Sequence, residues 1–152
     1  MLPYDAEKTA QIWKRVHGQT PAVPDPSELL QMIKEEWTDA VTYLHLSHRF
    51  RGKQSAVLRQ IAWQEQAHYA CLKGIYTMLT GAHPHIHAPS VPREPLGHLL
   101  RRCYNRELQC VSCYQARIDE PEHGPSFARL AAQDQEHCHI LLQILGSLKP
   151  KG

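Results

Sequence analysis

Four stretches of the chain carry apolar residues at helical spacing, and prolines and glycines separate them. Asp25-Pro26-Ser27-Glu28 places Asp at a cap, Pro in the first turn and Glu at the third position. A first helix is therefore expected from about Pro26 to Phe50, with Gly52 breaking it. A second is expected from about Ser55 to Thr80, closed by Gly81 as a left-handed cap. Along it Leu58, Ile61, Glu65, His68, Leu72, Ile75 and Leu79 fall at alternating steps of three and four, the inward seam of a bundle helix. A third helix is expected from Pro95 to about Asp119, with Leu96, Leu100, Cys103, Glu107, Cys110 and Tyr114 in one seam. Pro121, Gly124 and Pro125 break the chain before a fourth helix from about Ser126 to Leu145. That helix has the weakest seam, because Arg129 and Gln143 sit in register with its best inward positions. Residues 1–25 read as an arm, in which Ile12, Trp13 and Val16 could line one face of a short helix, and residues 149–152 as a polar tail.

Loop lengths predict topology. The first and third connections are short, so the helices pair as two antiparallel hairpins. Residues 81–95, with four prolines, are long enough to do more. A helix of ~25 residues measures ~38 Å, and fifteen extended residues reach about 50 Å. The middle segment can therefore run the length of a bundle. The expected fold is all-α: a four-helix bundle over 26–148, two hairpins joined by one long crossover, as in ferritin-like proteins.

The chain also repeats itself. Glu36, Tyr43, Glu65 and His68 recur 71 positions later as Glu107, Tyr114, Glu136 and His139, and Leu29 maps to Leu100. In both halves the lone Glu precedes a Glu-x-x-His pair by 29 residues. Residues three apart on a helix share a face, so each pair can bind one metal. Glu36 and Glu107 would join from the other two helices. Four carboxylates buried without compensation are costly, and some would protonate; two divalent cations would neutralise them. Oxygen and imidazole donors without thiolate fit iron or manganese. Chance alone supplies about 0.7 Glu-x-x-His matches in a chain of this composition, so one match means little and the shared spacing carries the signal. A third match, Glu120 and His123, falls in the proline-rich break and reads as that accident.

On Glu36, Glu65-x-x-His68, Glu107 and Glu136-x-x-His139, with Tyr43 seven residues after the first Glu, residues 26–148 resemble the rubrerythrins of the ferritin-like superfamily. The resemblance implies a site of two iron ions, with manganese as the other candidate, and an oxidoreductase that reduces hydrogen peroxide or oxygen in oxidative-stress defence. Rubrerythrins usually end in an iron-thiolate domain with two Cys-x-x-Cys pairs. None follows His139, so the expected electron donor is a separate, rubredoxin-like carrier. Rubrerythrins also usually carry a further Glu three residues after the third-helix Glu, where this chain has Cys110. A ferroxidase or iron-storage role is the alternative.

Other residues have two readings each. Tyr43 and Tyr114 could hydrogen-bond ligand carboxylates or simply fill the core. Asp39, one turn past Glu36, is a candidate partner of the ligands or an exposed acid, and Glu35 is a substitute for Glu36. Cys110-x-x-Cys113 is a redox pair or two packed thiols, with Cys110 expected to be unligated and inert. His83, His85 and His87, like His45 and His48, are surface-metal candidates or solvated side chains.

Composition narrows the setting. Charged residues make up 21% and apolar residues 42%, an ordinary globular balance, and the net charge of +2 gives no footprint for nucleic acid. No apolar run approaches the roughly 18 residues of a membrane span, and Met1 to Asp5 do not open a signal peptide. Five cysteines at irregular spacings favour a reducing cytoplasm. The expected partners are a small oxidant, an electron-donor protein and a second copy of the chain in a homodimer.

Overall fold

The computed structural model describes residues 25–148. The short helix expected around Ile12, Trp13 and Val16 and the tail at 149–152 lie outside the described residues. Within them the protein is all-helical, with α1 (Pro26–Ser47), α2 (Gly52–Thr80), α3 (Leu96–Gln115) and α4 (Gly124–Ser147). None of these helices is long and apolar enough to cross a membrane.

The helix ends have local causes. Asp25 caps α1, its carboxylate accepting the Ser27 N–H at 2.8 Å and the Ser27 hydroxyl at 2.7 Å. That helix ends at Ser47 rather than near Phe50, because the Ser55 hydroxyl donates to the Ser47 carbonyl at 2.7 Å. The chain then reverses at Gly52, whose φ of +62° suits a residue without a side chain, and α2 starts there, three residues before the expected Ser55. Gly81, at φ +72°, closes α2 as expected. The turn before α4 uses the third Glu-x-x-His match. The buried Glu120 carboxylate accepts the N–H groups of Glu122 and His123, which fixes the turn that leads into α4.

Helix α1 packs along α2, and α3 along α4. The buried apolar side chains form two clusters. One holds Leu29, Ile33, Leu72, Ile75, Tyr114, Phe127 and Leu130. The other holds Tyr43, Leu46, Leu58, Ile61, Leu99, Leu100, Leu141 and Ile144. Following each helix between the clusters gives its direction: α1 and α4 run from the first to the second, and α2 and α3 run back. Because α2 and α3 are parallel, the segment between them has to travel the length of the molecule. Ile86 packs on the first cluster. At the far end the Arg49 guanidinium donates to the Glu94 carbonyl at 3.1 Å, and Arg102 grips the Glu94 carboxylate through two bonds of 2.8 and 2.9 Å.

A methyl group on Gly124 would run into the Ile118 carbonyl, whereas one on Gly74, exposed within α2, would meet nothing. Gly124→Ala should therefore destabilise the fold by about 1–3 kcal/mol. Gly74→Ala should stabilise it by up to about 1 kcal/mol. Thermal melts followed by circular dichroism should move in opposite directions; equal shifts would contradict the described turn.

Candidate metal centre

Between the two apolar clusters lies a layer of buried ionisable side chains. The seams of the helices continue through it without a break in spacing. In α1 the inward positions run Leu29, Ile33, Glu36, Ala40, Tyr43; in α2 they run Leu58, Ile61, Glu65, His68, Leu72, Ile75. Helix α3 contributes Leu100, Cys103, Glu107, Cys110 and Tyr114. In α4 the seam is Phe127, Leu130, Asp134, His137, Leu141 and Ile144.

This last seam corrects the sequence reading. Glu136 and His139 are exposed, and the layer holds Asp134 and His137 instead. The second and fourth helices repeat at a spacing of 69 along the whole seam, from Leu58 against Phe127 to Ile75 against Ile144. The first and third repeat at 71. The second half is thus two residues shorter between its lone Glu and its acid-x-x-His pair. Insisting on Glu at both positions selected the wrong register. Arg129 and Gln143 would then have faced inward, and that clash was the available warning. The unbroken three-and-four seam, and the matching strings Gln64-Glu65-Gln66-x-His68 and Gln133-Asp134-Gln135-x-His137, could have found the right one.

The layer is nearly symmetrical. His68 Nδ1 lies 3.7 Å from Glu36, 3.6 Å from Glu65 and 3.5 Å from Asp134. His137 Nδ1 lies 2.8 Å from Glu65, 3.5 Å from Glu107 and 3.4 Å from Asp134. Glu65 and Asp134 therefore stand between the two imidazoles, while Glu36 and Glu107 each flank one. The rings are close to parallel, with centroids 6.0 Å apart. On its far side each imidazole meets an amide: His68 Nε2 is 2.5 Å from Gln133 Oε1, and His137 Nε2 is 2.6 Å from Gln64 Oε1. The outer carboxylates are held from across the molecule. Tyr43 donates to Glu107 at 2.6 Å, and Tyr114 donates to Glu36.

Most of the atoms that face the centre lack partners outside it. Glu36 Oε2, Glu65 Oε1, both oxygens of Asp134, and Nδ1 of His68 and His137 are buried without a well-aligned hydrogen bond, and their close polar neighbours are one another. A buried polar atom left poorly paired costs up to about 1–3 kcal/mol, and a cation bound among these atoms would lower that cost. Ligand atoms of Glu65, Glu107, Asp134 and His137 lie within 4.8 Å of one another, as do those of Glu36, Glu65 and His68. Two overlapping donor sets of carboxylates and imidazole could thus each hold a cation, with Glu65 in both. The donors are carboxylate and imidazole, which suit iron or manganese.

The remaining candidates sort around this layer. Glu35 points away to Arg106, at 3.4 Å. Asp39 is buried and pairs with the same guanidinium at 3.1 Å, rather than with the layer's imidazoles. Cys110 faces inward, its sulfur within 4.8 Å of Glu36 and Asp134 oxygens and 3.6 Å from Arg106. Burial, then the charge of Glu36, pushes the Cys110 thiol well above its ordinary range, which favours the neutral group. Cys113 is half-buried beside Arg117, at 3.3 Å. His83, His85, His87 and His48 are exposed and His45 is half-buried; all five are outside the layer.

Without metal the layer holds on to protons. Burial raises Glu65 well above the carboxylate range, reinforced by Glu36 and Glu107. Burial opposes ionisation of Glu36 too, but Glu65, His68 and Tyr114 outweigh it and hold Glu36 low. Burial lifts Asp134 to about 8 and Asp39 to about 7. Burial works against the charge on His137, yet Asp134 and Glu107 raise it to about 9.

Comparison with protein-family models, with curated proteins and with solved structures finds no match for this chain. The site is therefore read from its geometry.

A pH dependence follows for the metal-free protein. Asp134 and His137 are both raised in the folded state, from 3.8 and 6.5 to about 8 and about 9. Their contribution is fully present below the unfolded values and is lost as pH rises through the folded ones. Chelator-treated protein should melt progressively lower between about pH 5 and pH 9, and Asp134→Asn should flatten that slope. A melting temperature that rises over this range would contradict the assignment.

Proposed function

We propose that this protein is a two-metal carboxylate protein of ferritin-like architecture, resembling the rubrerythrins, that reduces hydrogen peroxide or oxygen with two iron ions, or manganese in their place. The observation that carries the reading is the pair of buried Nδ1 atoms facing four carboxylates between two apolar clusters. The parallel α2 and α3, joined by one crossover, agree with the architecture.

In this reading Glu36 and His68 serve one metal position, Glu107 and His137 the other, and Glu65 and Asp134 lie between them. Two reduced ions, when bound, supply the two electrons that the O–O bond of the oxidant takes up. The chain's own groups do the rest. Four carboxylates balance the charge of two divalent ions. Tyr43 and Tyr114 anchor Glu107 and Glu36 by donating hydrogen bonds. Burial and the adjacent carboxylates raise both phenols well above their ordinary value, so they remain neutral donors throughout the working pH range. The apolar clusters exclude water on both sides. A separate electron-donor protein re-reduces the site, in the cytoplasm, and the working unit is a homodimer.

Protein purified without chelator should carry two metals per chain. Asp134→Ala or His137→Ala should lower occupancy well below that, and Glu136→Ala or His139→Ala should not. Loss on the second pair only would move the site to the exposed face.

Metal at about 1,000 times its dissociation constant should add ~4 kcal/mol of stability, seen as a higher melting temperature than the chelated form at neutral pH. In stopped-flow mixing the reduced protein should oxidise faster with hydrogen peroxide than with oxygen. Faster oxidation by oxygen, with mineral formed from excess Fe(II), would point instead to a ferroxidase.

A further inference from the structure

We infer that Gln64 and Gln133 are positioning residues, each bracing the imidazole of the opposite hairpin so that its Nδ1 is the nitrogen turned to the site. The consequence for metal affinity rests on the reading proposed above; the bracing itself does not.

The bonds cross the molecule. Gln64 is on α2 and reaches His137 on α4 at 2.6 Å; Gln133 is on α4 and reaches His68 on α2 at 2.5 Å. Each glutamine immediately precedes the inward acid of its own helix, Glu65 or Asp134. One string of five residues therefore supplies a carboxylate and an imidazole to its own side and a brace to the other. An imidazole has two nitrogens, and the partner of one decides what the other can do. Here the amide oxygen faces Nε2, so Nε2 is the donor, and Nδ1 is the nitrogen turned to the layer's carboxylates in both rings. Metal ligands commonly have such an outer partner, and removing it typically lowers metal affinity 10- to 100-fold. A carboxylate brace would add charge to a layer that already holds four acids. The neutral amide fixes the ring without doing so.

The crossing makes the inference specific. Gln133→Leu should disturb His68, on the other hairpin, and spare His137, on its own helix. Gln64→Leu should do the reverse. Imidazole 15N and 1H spectra of the metal-free, labelled protein read this directly. The wild type should show a protected Hε2 proton on both rings, and each Leu variant should lose it on one. Gln133→Glu and Gln64→Glu, which keep an acceptor oxygen, should restore it. Circular dichroism should remain helical in all four.

A titration with Co(II) gives the second readout. Wild type should bind two equivalents, and each Leu variant should weaken one of them about 10- to 100-fold. Unchanged ring spectra in both Leu variants, or loss on the same-helix histidine, would overturn the brace. Protected Hε2 protons in a wild type that takes up no Co(II) would support the brace and defeat the metal reading.

Discussion

The structure depends on one constraint: six ionisable side chains are buried together in one layer, where they face mainly one another. Four carboxylates and two imidazoles share a layer in which six polar atoms lack a well-aligned hydrogen bond. In an ordinary core such a layer would be replaced by leucine and isoleucine, because unpaired buried polar groups cost more than packing returns. Here the same helical seams carry apolar residues above and below the layer and change character only within it. The proposed pair of cations would account for the arrangement.

That constraint organises the rest. Four helices pass the same level, two in each direction, and each brings one acid to the layer. The parallel pair α2 and α3 forces the crossover, which Arg49 and Arg102 fasten at its end. Four of the six layer residues are then held by side chains from the other half of the molecule. Tyr43 of α1 holds Glu107 of α3, Tyr114 of α3 holds Glu36 of α1, and the two glutamines hold the opposite histidines. Neither hairpin contains a complete site. Arg106, paired with Asp39 and Glu35 and touching Cys110, closes one side of the layer with a charge of opposite sign.

Helix positions, the need for a crossover and four of the six site residues could be read from spacing alone. Glu36, Glu65, His68 and Glu107 sit on seams whose apolar members are strong, so their inward direction was fixed by neighbours such as Ile33, Leu72 and Leu100. The fourth helix failed for a physical reason. Its surface is rich in polar residues, and Glu136 and His139 mimic the motif two residues on from Asp134 and His137, about 200° round the helix and so on the outer face. Only the flanking Phe127, Leu130, Leu141 and Ile144 decide which face is buried, and they carry more weight than identity of the acid. The cross-helix bonds of Gln64 and Gln133 were not legible, because a half-buried glutamine leaves no mark in hydrophobic periodicity. Glu120 and His123 belong to the turn before α4, where the Glu120 carboxylate accepts the His123 N–H.

Anomalous X-ray scattering from crystals grown with Fe(II), collected on either side of the iron absorption edge, tests the central claim most directly. Two peaks should appear between the Nδ1 atoms of His68 and His137, each against one flanking carboxylate and both beside Glu65 and Asp134. No peak in that layer, or peaks only at Glu136 and His139 on the exposed face of α4, would contradict the account.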